Sequence, residues 1–170
     1  MGNCNTKWDT EYKLPTSIEN NQRIISNNIK IKQYNSLDNI CKMVANISNF
    51  PVVCISIIRD DEKKQYFIGK HGIKDNSTSI DDSICKFVIN KKKDIIIPDT
   101  YITPEYPSKN LGIKTYIGIP IIINNNIEAV LCLFSYRKQK YNRKCIQFLK
   151  IISVMVGSKI ELMYKIQIDE

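Results

Sequence analysis

Apolar residues follow two periods along this chain, and the switches between them mark out its elements. From Val52 to Ile58 the sequence reads V-V-C-I-S-I-I, a nearly continuous β-branched run of the kind a central strand carries. Arg59-Asp60-Asp61-Glu62 makes a polar turn into Gln65-Tyr66-Phe67-Ile68, so the two segments predict a β-hairpin. Lys114 to Ile123 and Ile127 to Tyr136 predict a second hairpin, joined by Asn124-Asn125-Asn126, residues that tolerate the left-handed conformations of tight turns. Asp94 to Ile97, ended by Pro98, predicts one more strand. Gly69 and Gly72 are expected to break the strand after Ile68, and the polar stretch from there to Ser83 carries no predicted element.

Helical spacing appears in four places. Thr16-Ser17-Ile18-Glu19 fits a capping box, opening a helix to about Lys32 whose apolar stripe (Ile18, Ile24, Ile25, Ile29, Ile31) is wide but sparse. Ser36 is expected to cap a second helix, with Leu37, Ile40, Cys41, Val44 and Ile47 on its buried face and Pro51 closing it off. Ile84, Phe87 and Val88 suggest a short helix after Ser83. Asn142 caps the closing helix, in which Cys145, Phe148, Leu149, Ile152, Val156, Ile160 and Met163 line one face almost to the C-terminus. Asp99 to Ile113 shows no period and reads as a long loop rich in Tyr and Pro, a functional lid in the making. Residues 1–15 read as a flexible lead-in and residues 16–170 as one folded domain, α/β in composition and α+β in arrangement: a largely antiparallel sheet with helices on its faces.

Composition narrows the classes. The 170 residues fit a single domain, and the longest apolar runs, Val52 to Ile58 and Ala129 to Phe134, are far short of the roughly 20 residues that a transmembrane helix needs. The polar N-terminus lacks the apolar core of a secretory signal, which sets the expectation at the cytosol. Six cysteines occur without a C-x-x-C pair, so neither a zinc site nor a disulfide framework is expected, and Cys41, Cys54, Cys132 and Cys145 read as core residues. The formal net charge of +8 suits an anionic partner, but Lys91-Lys92-Lys93 and the cluster from Arg137 to Lys144 fall where turns are expected. No aromatic-interleaved or helix-turn-helix signature accompanies them, so nucleic acid is not an expected partner. With one histidine, no hydrolase motif and no metal-ligand cluster, no catalytic residue and no metal site are expected.

Several short stretches, in order, carry a family likeness: the strand Val52 to Ile58 with its acidic turn, Gly69-Lys70-His71-Gly72, Ser83-Ile84-Cys85, Ile95-Ile96-Ile97-Pro98-Asp99, the I-K-T-Y-I-G-I-P of Ile113 to Pro120, and Val130-Leu131-Cys132-Leu133. From about Ser17 to Leu162 the chain resembles a GAF domain of the phytochrome-like and signalling subgroup. The resemblance implies a six-stranded antiparallel sheet flanked by helices, with a small-molecule cavity between the sheet and the short-helix and loop region. Carried over position by position, the cavity wall would come from Cys85, Asp99, Tyr101, Tyr116, Gly118 and Phe134. Tyr116 and Gly118, two apart on one strand, share a face of the sheet, and Gly118 is expected to leave room there for a ligand. The alternative is that Tyr116 and Phe134 are core, Asp99 caps a turn and Cys85 packs on its helix.

The family's better-known ligands each fail a residue test. After Asn90-Lys91 there is no Phe followed by the Asp-Glu of cyclic-nucleotide-binding members, and Cys85 is followed by Lys86 where bilin-binding members have His. The resemblance extends to free methionine-(R)-sulfoxide reductases, which need a relay of cysteines. Asp99 to Ile113 holds none, so nothing in that loop would resolve an oxidised Cys85. The cofactor or ligand is therefore left unnamed.

Met1-Gly2-Asn3-Cys4-Asn5-Thr6 satisfies the N-myristoylation pattern, and Cys4 is placed for palmitoylation, the second acyl chain that makes attachment durable. The resulting expectation is a sensory or regulatory domain, held by Gly2 and Cys4 on the cytoplasmic face of a membrane, that binds a small molecule non-covalently without catalysis. With no output domain after the last helix, its signal would pass to a separate protein. The alternatives are an interaction module without ligand and a sulfoxide reductase. A homodimer through the first and last helices is expected from their incompletely used apolar stripes.

Overall fold

A computed structural model describes residues 23–100, 105–107 and 111–169. The strands are β1 (Val52–Arg59), β2 (Lys64–His71), β3 (Ser77–Ser79), β4 (Ile95–Ile97), β5 (Thr115–Ile123) and β6 (Asn126–Ser135). They form one six-stranded sheet in the order β3-β2-β1-β6-β5-β4, with every described pairing antiparallel. The helices are α1 (Ile24–Asn28), α2 (Asn35–Ser48), α3 (Cys85–Lys91) and α4 (Arg143–Asp169), and one turn of 3-10 helix, Ile80–Asp82, precedes α3.

Alternation along the central strands splits the core in two. Val53, Ile55 and Ile57 of β1, with Ile117, Ile119 and Ile121 of β5 and Leu131 and Leu133 of β6, pack against α1, α2 and α4. Val52, Cys54 and Ile58, with Tyr116, Val130, Cys132 and Phe134, face α3 and the loop that follows β4. Both faces are covered, which is why the central strands read as continuous apolar runs rather than alternating ones. The β5–β6 turn is tight, with Asn124 and Asn125 at φ 51° and 63°. Asn142 Oδ1 accepts the Cys145 N–H at 2.9 Å and opens α4 as the sequence predicts.

Four expectations are corrected. The helix predicted to run to Lys32 ends at Asn28; its expected start, residues 16–22, lies outside the described residues. Distant side chains set its ends: both carboxylate oxygens of buried Glu128 accept from the N–H groups of Ile24 (3.1 Å) and Ser26 (2.8 Å). Arg59 donates to the carbonyls of Ile29 (2.7 Å) and Ser26 (3.4 Å), holding Ile29 extended at ψ 137°. In α2 the helix begins at Asn35 with Tyr34 at the cap, not Ser36, and Ile47 is 57% exposed, since the buried face runs through Leu37, Cys41, Val44 and Ala45. Gly69 does not break β2; a side chain there would meet Leu37 Cβ at 2.6 Å, so its absence lets α2 lie directly on the strand, and the turn out of β2 comes at Gly72, φ +79°. Finally, the polar stretch after it contains β3, an edge strand whose register pairs Tyr66 with Ser77 and Gln65 with Thr78.

Candidate functional site

On the α3 face of the sheet a cavity of about 150 Å³ opens between β2, β3, the start of α3, β5 and β6. Its apolar wall comes from Phe67, Ile73, Ile84, Leu111, Ile113 and Phe134. Phe67 is the inward residue of β2 next to a register shift between Ile55 and Ser56, and Phe134 is the inward residue near the end of β6. Tyr136 stands at the mouth, half exposed, and its ring meets Phe134 edge-on with centroids 5.8 Å apart.

The inner end is polar. The side-chain amide of Gln65 donates to Ser56 Oγ at 3.0 Å and to Cys85 Sγ at 3.4 Å, while Ser83 Oγ donates to its carbonyl oxygen. Cys85 Sγ and Tyr116 Oη lie 3.2 Å apart, and Ser56 Oγ and Cys132 Sγ 3.5 Å apart. Buried amides and hydroxyls are costly unless paired, and here each finds a partner; among the described residues the one buried side-chain oxygen or nitrogen without a partner is Ser26 Oγ, on α1. The floor is therefore satisfied without a ligand.

It is also neutral at physiological pH. Burial, and then the hydrogen bond with the Cys132 thiol, pushes Cys85 well above the ordinary thiol range. Burial, and then the neighbouring Cys85, does the same for the Tyr116 phenol. The Cys132 thiol is raised first by its hydrogen bond with Cys54 and then by burial. Cys54 and Cys132 are direct cross-strand partners, so a third free thiol lies next to the two that line this floor. None of the described residues groups His, Cys, Asp or Glu in an arrangement able to hold a metal ion.

Of the six residues singled out for the wall, Cys85, Tyr116 and Phe134 line this cavity. Gly118 and Asp99 do not. Gly118 sits beneath Tyr116: a Cβ there would meet Tyr116 Oη at 2.6 Å and Val88 Cγ2 at 2.7 Å, so the room it leaves is filled by the protein itself. Asp99 is turned away, paired with Lys138 Nζ at 2.6 Å next to the backbone anchor that Thr100 makes on Lys114. Tyr101 lies outside the described residues, as do Gly2 and Cys4. Of the loop from Asp99 to Ile113, Tyr106 packs edge-on against Phe87 of α3 at 5.1 Å and its hydroxyl accepts from Lys91 Nζ at 3.2 Å, tying that part of the loop to the helix. The residues that sequence reasoning passed over are Gln65, Ser83 and the polar edge Ser77 and Thr78. Gln65 carries a signal: it is a polar residue on the same side of its strand as Phe67, where an apolar one is expected.

The GAF domain family model matches residues 35–160 of the chain. The chain belongs to the GAF family. The resemblance seen in the sequence and the six-stranded antiparallel sheet it implied both hold. No curated protein is significantly similar to the chain in sequence. Among solved structures, the GAF domain of an Acinetobacter phosphoenolpyruvate-protein phosphotransferase superposes with a TM-score of 0.68 at 13% identity, over 84% of this chain and 89% of that one. The free methionine-R-sulfoxide reductase of Neisseria meningitidis, solved with its substrate, gives 0.66 at 11% identity over 81% and 83%. The chromophore-binding domain of a bacteriophytochrome from R. palustris gives 0.65 at 12% identity over 82% and 58%. At these identities the likeness is one of fold. GAF is a small-molecule-binding and signalling fold, and this GAF domain carries its cavity on the α3 face.

Proposed function

We propose that this GAF domain is a sensory or regulatory module that binds a small molecule reversibly in the cavity beneath Leu111 and Ile113, without turnover. The observation that carries the reading is the cavity itself: an apolar enclosure closed at one end by a few converging polar groups, the usual form of a small-molecule site. Its chemistry favours binding over catalysis. A sulfoxide reductase needs a thiolate to attack, and burial holds the Cys85 thiol in its protonated form. The proximity of Cys132 and Cys54 does supply the thiol neighbours that the loop sequence lacks, so the reductase is tested directly: free methionine-R-sulfoxide, thioredoxin-type reductant and purified protein should give no turnover above a Cys85→Ser control. Native mass spectrometry of gently purified full-length protein should show a non-covalent adduct, and persistent apo mass across preparations and ligand screens would refute ligand binding.

The same module is tethered, in this reading, to a cytoplasmic membrane face through acyl chains on Gly2 and Cys4. Fractionation of wild type, Gly2→Ala and Cys4→Ser in a eukaryotic cell tests it, and a Gly2→Ala protein that stays in the membrane pellet would sink the idea. An interaction role finds support of its own in α4. Ile151, Met155, Leu162 and Ile166 are 53–63% exposed and spaced four, seven and four residues apart, a single apolar stripe on the side away from the core. Its length, about 40 Å for 27 residues, exceeds the roughly 30 Å of β5, and a second copy of the chain would cover it.

A further inference from the structure

The walls of the cavity carry charge of one sign. Asp75 and Asp82 belong to its lining, and no Lys, Arg or His does among the described residues, in a chain whose formal net charge is +8. Neither carboxylate takes part in a described ion pair or side-chain hydrogen bond. Lys74, next to Asp75 in sequence, does not line the cavity, and Lys70 and Lys86 are engaged elsewhere: Lys70 Nζ donates to the carbonyls of Lys74 and Asp75 and to Asn76 Oδ1, and Lys86 Nζ to the carbonyl of Asp81. Asp82 is half-buried, so its charge is only partly screened by water. The Phe134–Tyr136 pair adds aromatic surface to the same lining. Carboxylate and aromatic surface together are the combination that attracts an organic cation.

Resting on the reading of this cavity as a ligand site, we propose that its ligand is a small organic cation, an amine or quaternary ammonium on an apolar body. The cationic group sits at the mouth by Asp82 and Asp75 against Tyr136 and Phe134, and the body fills the interior formed by Phe67, Ile84 and Ile113. The volume admits as the ligand's body one ring or a short branched chain, on the order of six to ten non-hydrogen atoms besides the head group at the open end, since a cavity of similar volume elsewhere holds benzene. The inner end fits the same class. Its amide, hydroxyl and thiol groups already satisfy one another, so an apolar body resting on them strands no polar group. A carboxylate, a phosphate or a zwitterion would bring negative charge to a wall that offers two carboxylates and no described counter-ion, and is disfavoured.

Four matched probes test this on the full-length protein at pH 7: benzyltrimethylammonium, phenethylamine, the neutral isostere neopentylbenzene, and phenylacetate, each titrated by methyl NMR with Ile84 and Ile113 as reporters. Both cations should bind saturably, at least tenfold more tightly than the neutral isostere, with affinity falling as salt rises, and phenylacetate should not bind. Asp82→Asn should weaken the cations about tenfold and leave neopentylbenzene unchanged. Tyr136→Ala should weaken benzyltrimethylammonium by about three- to tenfold. Equal affinity for neopentylbenzene and the cations, or unchanged cation binding in Asp82→Asn with an unchanged melting temperature, overturns the charge preference while leaving the cavity as a site. No shift of either methyl with any probe overturns the ligand site itself.

Discussion

A methyl group added at Gly118 would meet Tyr116 Oη at 2.6 Å, Val88 Cγ2 at 2.7 Å and Tyr116 Cε1 at 2.8 Å, against the ~3.5–4.0 Å of an ordinary carbon contact. The strand cannot back away, because Gly118 is paired on both sides, to Ile95 of β4 and Cys132 of β6. Relief must come from Tyr116, whose hydroxyl then leaves Cys85. Overpacking of this kind costs about 1–3 kcal/mol and the lost hydrogen bond about 1 kcal/mol, while replacing a strand glycine by alanine returns about 0.5–1 kcal/mol. Gly118→Ala should therefore lose about 2 kcal/mol in urea denaturation, and its melting temperature should fall by about 4–8 °C. In a Tyr116→Ala background the same change should cost less, by about 1 kcal/mol or more, because two of the three close contacts are gone. Since Tyr116 lines the cavity, the surviving Gly118→Ala fold should also bind probes more weakly. A Gly118→Ala protein as stable as the parent would mean that Gly118 does not make room for the Tyr116 side chain.

Glu128→Gln keeps one acceptor for α1 but sets an amide N–H against the other donor, so it should destabilise by about 2–3 kcal/mol and raise hydrogen exchange at Ile24 and Ser26 before the rest of the domain. Cys41 is pushed up to about 12 from 9.0 by burial and then by Asp38, so above pH 9 the folded chain holds a proton that the unfolded chain releases. Its contribution is full below pH 9 and is lost as pH rises through about 12; melting temperatures from pH 8 to 11 should fall, and Cys41→Ala should flatten that slope. If the α4 stripe pairs two copies, Met155→Lys with Leu162→Lys should shift the protein to monomer in light scattering without changing its melting at low concentration, and a wild-type monomer at high micromolar concentration would refute the dimer.

Elements defined by their own side chains were readable in the sequence. The run from Val52, the two β5 and β6 segments, the α4 stripe with its Asn142 cap and the α3 triplet all carry a burial pattern that local residues impose. What was not readable is set from elsewhere. β3 is three polar residues made into a strand by the free edge of β2, and α1 is trimmed by Glu128 and Arg59, 102 and 30 residues away from the groups they bind. The cavity followed the same division. Cys85, Tyr116 and Phe134 could be placed from strand alternation and family likeness, but Asp99 and Gly118 could not be excluded without knowing that Lys138 and the Tyr116 ring claim them. The meeting of Cys54, Cys85 and Cys132 likewise depends on the β1–β6 register, which no single segment encodes.

If the cavity on the α3 face is a reversible small-molecule site, a fragment screen read by isoleucine-methyl NMR, with an intact-mass check on each hit, will show it. Saturable shifts should concentrate at Ile73, Ile84 and Ile113 and be abolished when Cys132→Phe fills the floor, with the protein mass unchanged after dilution. Hits that map instead to the α1 and α4 methyls, a permanent mass adduct on Cys85, or no hits at all would contradict it.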